Sequence, residues 1–177
     1  MKKLTLLVTV GMLLHAAAWA QNSQNRLFNH RSSIVVTVDG LLCTTSAGTQ
    51  MFPALTWSFG ATQTATTTGG GGTASGRANI TDVSVSKRTD SCSPLLFGDV
   101  VSGRHVARVT IVQQDNNRDD VFTLVLEDVI VASYQLSGSH AEEVPTEQIS
   151  FNFGRITITD NISGNRFRWD LRTGRAF

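Results

Sequence analysis

Apolar residues recur at every second position through most of this chain, and turn residues interrupt the pattern at short intervals. A period of two places successive side chains on opposite faces of an extended strand, which confines the chain to sheet architectures. Ile34, Val36 and Val38 alternate with Val35, Thr37 and Asp39 until Asp39-Gly40 ends the run. Leu55, Trp57 and Phe59 share one face of a second strand. Ala107, Val109 and Ile111 alternate with Arg108 and Thr110. Phe167, Trp169 and Leu171 do so with Arg166, Arg168, Asp170 and Arg172. Val121 to Leu136 is apolar on both parities, as expected of a central strand or a pair.

The parity changes at two places. Ile80 is even while Val83 and Val85 are odd, which predicts a bend near Thr81-Asp82. Ile149, Phe151 and Phe153 are odd while Ile156 and Ile158 are even. Gly154 sits at that switch, where a glycine bulge would re-aim the strand, and Glu127-Asp128 marks a bend in the long apolar run. One helix is predicted. Ser93 suits its N-cap, Pro94 its first turn and Gly103 its end, with Leu95, Leu96, Val100 and Val101 as its apolar side. Residues 41–52 read as a loop, and Gln114–Asp120 and Ser137–Glu143 as polar turns. Thr62 to Ser75 is rich in Thr, Gly and Ser and cannot bury a core, so it reads as a long mobile loop or an extended hairpin tip. The predicted fold is mainly β: one antiparallel barrel or two-sheet sandwich with one short helix.

Residues 1–20 read as a secretory signal peptide. Lys2 and Lys3 precede an apolar stretch from Leu4 to Leu14, and Ala18-Trp19-Ala20 offers a small-x-small cleavage site. Cleavage after Ala20 would leave Gln21 as the first mature residue, residues 21–32 as a flexible leader and 33–177 as a single domain. The apolar stretch is too short for a comfortable membrane span, so the mature chain is expected free of the membrane, periplasmic or extracellular. The whole chain carries a net charge of +1, and loss of Lys2 and Lys3 takes it to −1. Near-neutrality argues against nucleic acid as a partner, and Arg166, Arg168, Arg172 and Arg175 read as a solvated strand face.

Cys43 and Cys92 are the only cysteines. In an oxidising compartment they can pair, closing a loop of about fifty residues; the other reading is two buried free thiols. Neither has a Cys or His at metal-ligand spacing. His30, His105 and His140 are scattered, and there is no HExxH, G-x-S-x-G or phosphate-binding loop. Asp115 to Asp119 resembles the start of a calcium loop, but Asp120 stands where Gly is required and Leu126 where Glu is. No enzyme activity, metal or cofactor is expected.

Several blocks, taken in order, carry a family resemblance. They are Trp57-Ser58-Phe59-Gly60, the glycine patch Gly69-Gly70-Gly71-Gly72, Ser93-Pro94, Gly103-Arg104-His105, Leu126-Glu127-Asp128-Val129, Ser133, Thr146-Glu147 to Phe153, and Phe167-Arg168-Trp169-Asp170-Leu171. Together they resemble the Hcp family, small β-barrel proteins of the bacterial type VI secretion system, over about residue 33 to the end. The resemblance implies a homohexameric ring with a wide lumen, rings that stack head to tail into a tube, and secreted effectors as passengers in the lumen. It also implies that Thr64, Thr66, Thr67, Thr68, Gly69, Gly70, Gly71, Gly72 and Thr73 form a loop that engages the next ring. A signal peptide departs from the family pattern, whose tube assembles in the cytoplasm. The other reading is an exported monomeric β-domain that binds a glycan or peptide, for which Trp57, Tyr134 and Trp169 are the available aromatics.

Overall fold

Each alternating run contributes a strand, although the run from Leu55 to Phe59 does so only over Thr56–Ser58, with Leu55 at a bend and exposed. The computed structural model describes residues 32–68 and 72–177. The expected signal peptide with its cleavage site at Ala20 and Gln21, nearly all of the expected leader, and Gly69, Gly70 and Gly71 lie outside the described residues. The compact unit spans Ser33–Phe177. In chain order its strands are β1 (Ser33–Val38), β2 (Thr44–Thr45), β3 (Gly48–Thr49), β4 (Met51–Ala54), β5 (Thr56–Ser58), β6 (Ala61–Thr68), β7 (Gly72–Ile80) and β8 (Val83–Arg88). Helix α1 (Ser93–Ser102) follows, then β9 (His105–Gln114), β10 (Asp120–Ser137), β11 (Thr146–Asp160), β12 (Arg166–Asp170) and β13 (Arg175–Ala176).

Pairing is antiparallel in the order β13-β12-β11-β10-β9-β1-β4, and β8 adds to β11 and β5 to β8. The chain itself closes the barrel. β4 pairs with β1, and after Leu55 the same run continues as β5, which pairs with β8. The Leu55 amide donates to Ser86 O at 2.8 Å, so the seam is hydrogen-bonded through the change of partner. One edge of β11 is shared: Thr146–Phe151 pair with β8, and Arg155–Thr159 pair with β12.

Inward-facing residues at alternate positions fill the interior. Val36, Phe52, Val85, Ile111, Leu124 and Phe151 are fully buried. Burying each such side chain contributes about 1.5–3 kcal/mol. Aromatics pack around Trp57: its ring stacks on Phe122 at 5.3 Å and on Phe59 at 6.1 Å, and its Nε1 donates to Gln113 Oε1 at 3.1 Å.

A crease crosses three strands at one level. In β10 the buried set passes from Leu124 and Leu126 to Val129 and Val131; in β11 it passes from Phe153 to Ile156; in β9 it passes from Val106 to Val109. The two predicted bends, at Glu127-Asp128 and at Gly154, are thus one feature. The expected bulge at Gly154 is absent, because the β10–β11 register holds from Phe122↔Asp160 to Val131↔Phe151 and shifts only between Val131 and Ser133. Asp128 instead turns the chain with a left-handed φ of 57°. Glycine is required opposite it: a Cβ on Gly154 would lie 3.0 Å from Asp128 Oδ2 and 3.2 Å from its Cβ. The bend expected near Thr81-Asp82 is the break between β7 and β8.

Three local expectations are corrected. The N-cap of α1 is Cys92, not Ser93, and no side chain caps the helix. Ser93 Oγ is engaged elsewhere, accepting from the Asp90 amide at 2.9 Å and from Lys87 Nζ at 3.2 Å. Pro94 does lie in the first turn, and Gly103 ends the helix with φ 64°. The apolar side is also only partly inward: Leu96 is buried, whereas Leu95, Phe97 and Val101 are exposed. Residues 41–52, expected as loop, hold β2, β3 and the start of β4, since the two-residue strands are too short to show a period.

Candidate functional site

The Thr/Gly-rich segment is a hairpin. β6 and β7 form a two-stranded sheet separate from the barrel, with Thr66↔Ala74, Thr67↔Thr73 and Thr68↔Gly72 in register. Thr64 lies in β6 where the register shifts between Gln63 and Ala65. Threonine favours strands through its branched Cβ but brings little apolar area, so it extends a ribbon without building a core. The root is clasped by a pair of hydrogen bonds: the Gly60 amide donates to Thr81 Oγ1 at 2.9 Å, and the Thr81 amide donates to Gly60 O at 2.9 Å. Beside this root a groove of about 560 Å³ is lined by Gln63, Asn79, Ile80, Trp169 and Leu171 among others.

A buried polar knot holds α1 to the barrel. Lys87 and Glu147 are cross-strand partners on the core face of β8 and β11, and both are essentially without solvent exposure. Lys87 Nζ lies 2.6 Å from Glu147 Oε1 and 2.9 Å from Asp90 Oδ1, and donates to Arg88 O at 2.9 Å. The same ammonium sits 5.1 Å from the centre of the Phe52 ring. Tyr134 Oη donates to Glu147 Oε2 at 2.6 Å, and its ring meets Phe97 of α1 edge-on at 5.7 Å. Burial, reinforced by the Glu147 carboxylate, pushes the Tyr134 phenol well above its ordinary range. At the other end of the helix Arg104 forks onto Asp99, with Nε to Oδ1 at 2.5 Å and Nη2 to Oδ2 at 2.6 Å. That hydrogen bonding raises the Arg104 pKa further.

Cys43 and Cys92 are bonded, with S–S 2.01 Å, and both are buried. The bridge ties the β2–β3 segment to the N-cap of α1, beside the polar knot. No described residues group into a set of three or more His, Cys, Asp or Glu that could hold a metal. Among the described residues, no helix is long and apolar enough to cross a membrane.

The aromatics considered for a ligand site do not converge. Trp57 belongs to the barrel stack, Tyr134 to the knot beneath α1, and Trp169 stacks on Phe167 at 6.1 Å and lines the groove at the hairpin root. The polar knot corresponds to no sequence motif, because its members are far apart in sequence. Parity carried the signal: Lys87 continues the inward set Val83 and Val85, and Glu147 precedes the inward set Ile149, Phe151 and Phe153.

A family model described as "Type VI secretion system effector, Hcp" matches residues 39–159, more than half of the chain. Protein hcp1 of Pseudomonas aeruginosa is 32% identical over 85 residues, covering 46% of this chain. The match spans about half, 52%, of that relative's own length. Among solved structures, Hcp1 from Salmonella typhimurium superposes with a TM-score of 0.69 at 22% identity, over 82% of this chain and 99% of that one. A structure described as a type six secretion system protein superposes with a TM-score of 0.73 at 20% identity, over 83% of this chain and all of that one. A further likeness at 13% identity, TM-score 0.52, is to a cap that terminates the tube of an anti-feeding prophage; it covers 75% of this chain and 89% of that one. At these identities the structures speak to fold, and the family rests on the matched residues 39–159: the chain belongs to the Hcp family of type VI secretion.

Proposed function

We propose that this protein is a non-enzymatic ring subunit: exported by its signal peptide, it assembles into homohexameric rings that stack and carry secreted effector proteins. The observation that carries the reading is the family match over residues 39–159 joined to a hairpin that stands outside the barrel sheet. A ring built from one heterologous interface repeated about an axis covers strand edges that a lone barrel leaves open, here those of β13 and of the β6–β7 hairpin. The hairpin, with Thr64, Thr66 to Thr68 and Gly69 to Thr73, is the stacking element. Its separation from the barrel sheet lets it reach a neighbouring ring without disturbing the core.

Export fits the Cys43–Cys92 bond, since buried disulfides persist in oxidising compartments. Rings would then form after export, unlike a tube loaded from the cytoplasm. Negative-stain images of the chain from Gln21 test the reading. Annular particles, some in stacks, are expected; a field of single barrels at high concentration would refute it.

A further inference from the structure

The outward face of β1, β9, β10, β11 and β12 carries three cross-strand rows in strict register. The first is Arg108, Glu127, Arg155 and Asp170. It compensates its own charge: Glu127 lies 3.4 Å from Arg108 Nη2 and 3.3 Å from Arg155 Nε. The second is Thr37, Thr110, Val125, Thr157 and Arg168, and the third is Val35, Val112, Thr123, Thr159 and Arg166. Those two rows hold no carboxylate. Each runs through short Thr and Val side chains and ends on an exposed arginine of β12.

Short side chains over several strands, bounded by long arginines, make a trough rather than a bulging surface. A concavity of about 470 Å³ lies over it, lined by members of all three rows. Five strands spaced about 4.8 Å apart make it about 20 Å across. Arg168 is held in place against the Phe177 ring, 4.1 Å from its centre, and Arg166 Nε donates to Thr159 Oγ1 at 3.3 Å. Both guanidiniums keep further donors for a carboxylate.

We infer that this trough is a docking surface for an acidic polypeptide, whose carboxylates meet Arg166 and Arg168 and whose backbone lies on the threonine hydroxyls. The inference deepens the passenger-carrying reading above and rests on it for the polypeptide nature of the partner. Nucleic acid fits less well. The first row is already neutralised, and Phe167 and Trp169 occupy the opposite parity of β12, so this face offers no row of stacking rings.

The test is fluorescence anisotropy of a labelled oligo-glutamate peptide with the chain from Gln21, together with the solution mass of each sample. Binding that weakens as salt rises is expected. Arg166→Glu with Arg168→Glu is expected to weaken it at least about tenfold, and Arg88→Glu, on β8, to leave it unchanged. Should the double variant melt early, Arg166→Gln alone is expected to weaken binding about threefold. No binding, wild-type binding by the double variant, or tighter binding of a single-stranded oligonucleotide would overturn the inference. A ring that ignores the peptide defeats the docking surface alone; a monomer that binds it defeats the ring alone.

Discussion

Lys87 and Glu147 form a fully buried ion pair in which each charge is satisfied more than once. Desolvating two charges is costly, and removing one partner leaves the other stranded. Glu147→Gln is therefore expected to destabilise the fold by about 3 kcal/mol in urea unfolding, and adding Lys87→Met to recover part of that loss. A further loss in the double variant would show that the ammonium is held mainly by Asp90 and Ser93. Tyr134 gives the knot a pH signature. Its phenol titrates from a higher pKa when folded than the ordinary 10.0. Its contribution is thus complete below about pH 10 and drains away as pH rises through the raised folded value. Tyr134→Phe is expected to flatten that alkaline loss while costing about 1–3 kcal/mol at neutral pH, because Glu147 Oε2 loses its donor. Thermal melts across pH 8–11 read both effects.

Helix α1 lacks a side-chain cap and turns Phe97 and Val101 toward solvent, so its position depends on its ends: the Cys43–Cys92 bond and polar knot at one, the Arg104–Asp99 fork at the other. The bridge closes a separation of 49 residues, for which loop-closure entropy gives about 4 kcal/mol. Replacing both cysteines by Ser is expected to lower the urea midpoint correspondingly, and reductant to shift the wild type alone. A wild type indifferent to reductant would place the helix under control of the knot. The hairpin is a second detachable element. Deleting residues 64–73 is expected to leave single rings and abolish stacks in micrographs; loss of the rings would remove this segment from the stacking role.

Legibility differed among the elements for physical reasons. β1, β9 and β11 bury one face each, so their period is plain in the sequence; β12 alternates as clearly, yet its Phe167 stays exposed and Trp169 only half-buried. The helix ends at Gly103 because only a left-handed residue fits there, but its start is not legible: Ser93 is chemically suited to capping and is instead drawn to Lys87 and the Asp90 amide. β2 and β3 are held by contacts rather than by pattern. The bend at Gly154 was visible as a parity switch, yet its cause, the left-handed Asp128 facing it across the sheet, is a relation between strands that no single run of sequence displays. Charge rows on the outer face share that limit, since register puts Arg168 beside Thr157 and Arg166 beside Thr159.

As a whole, the molecule is a barrel closed by its own β4–β5 run, with a hairpin and a C-terminal strand pair standing outside the closed set. The closed part accounts for stability; the outlying parts are what a neighbouring subunit would cover. Sequence resemblance carried the family, and the family match over residues 39–159 sustains it. Assembly is the central claim, and the solution mass of the chain from Gln21 tests it most directly, by light scattering on a sizing column with and without reductant. The account predicts a particle of about six subunit masses. A monomer at high concentration under both conditions would contradict it.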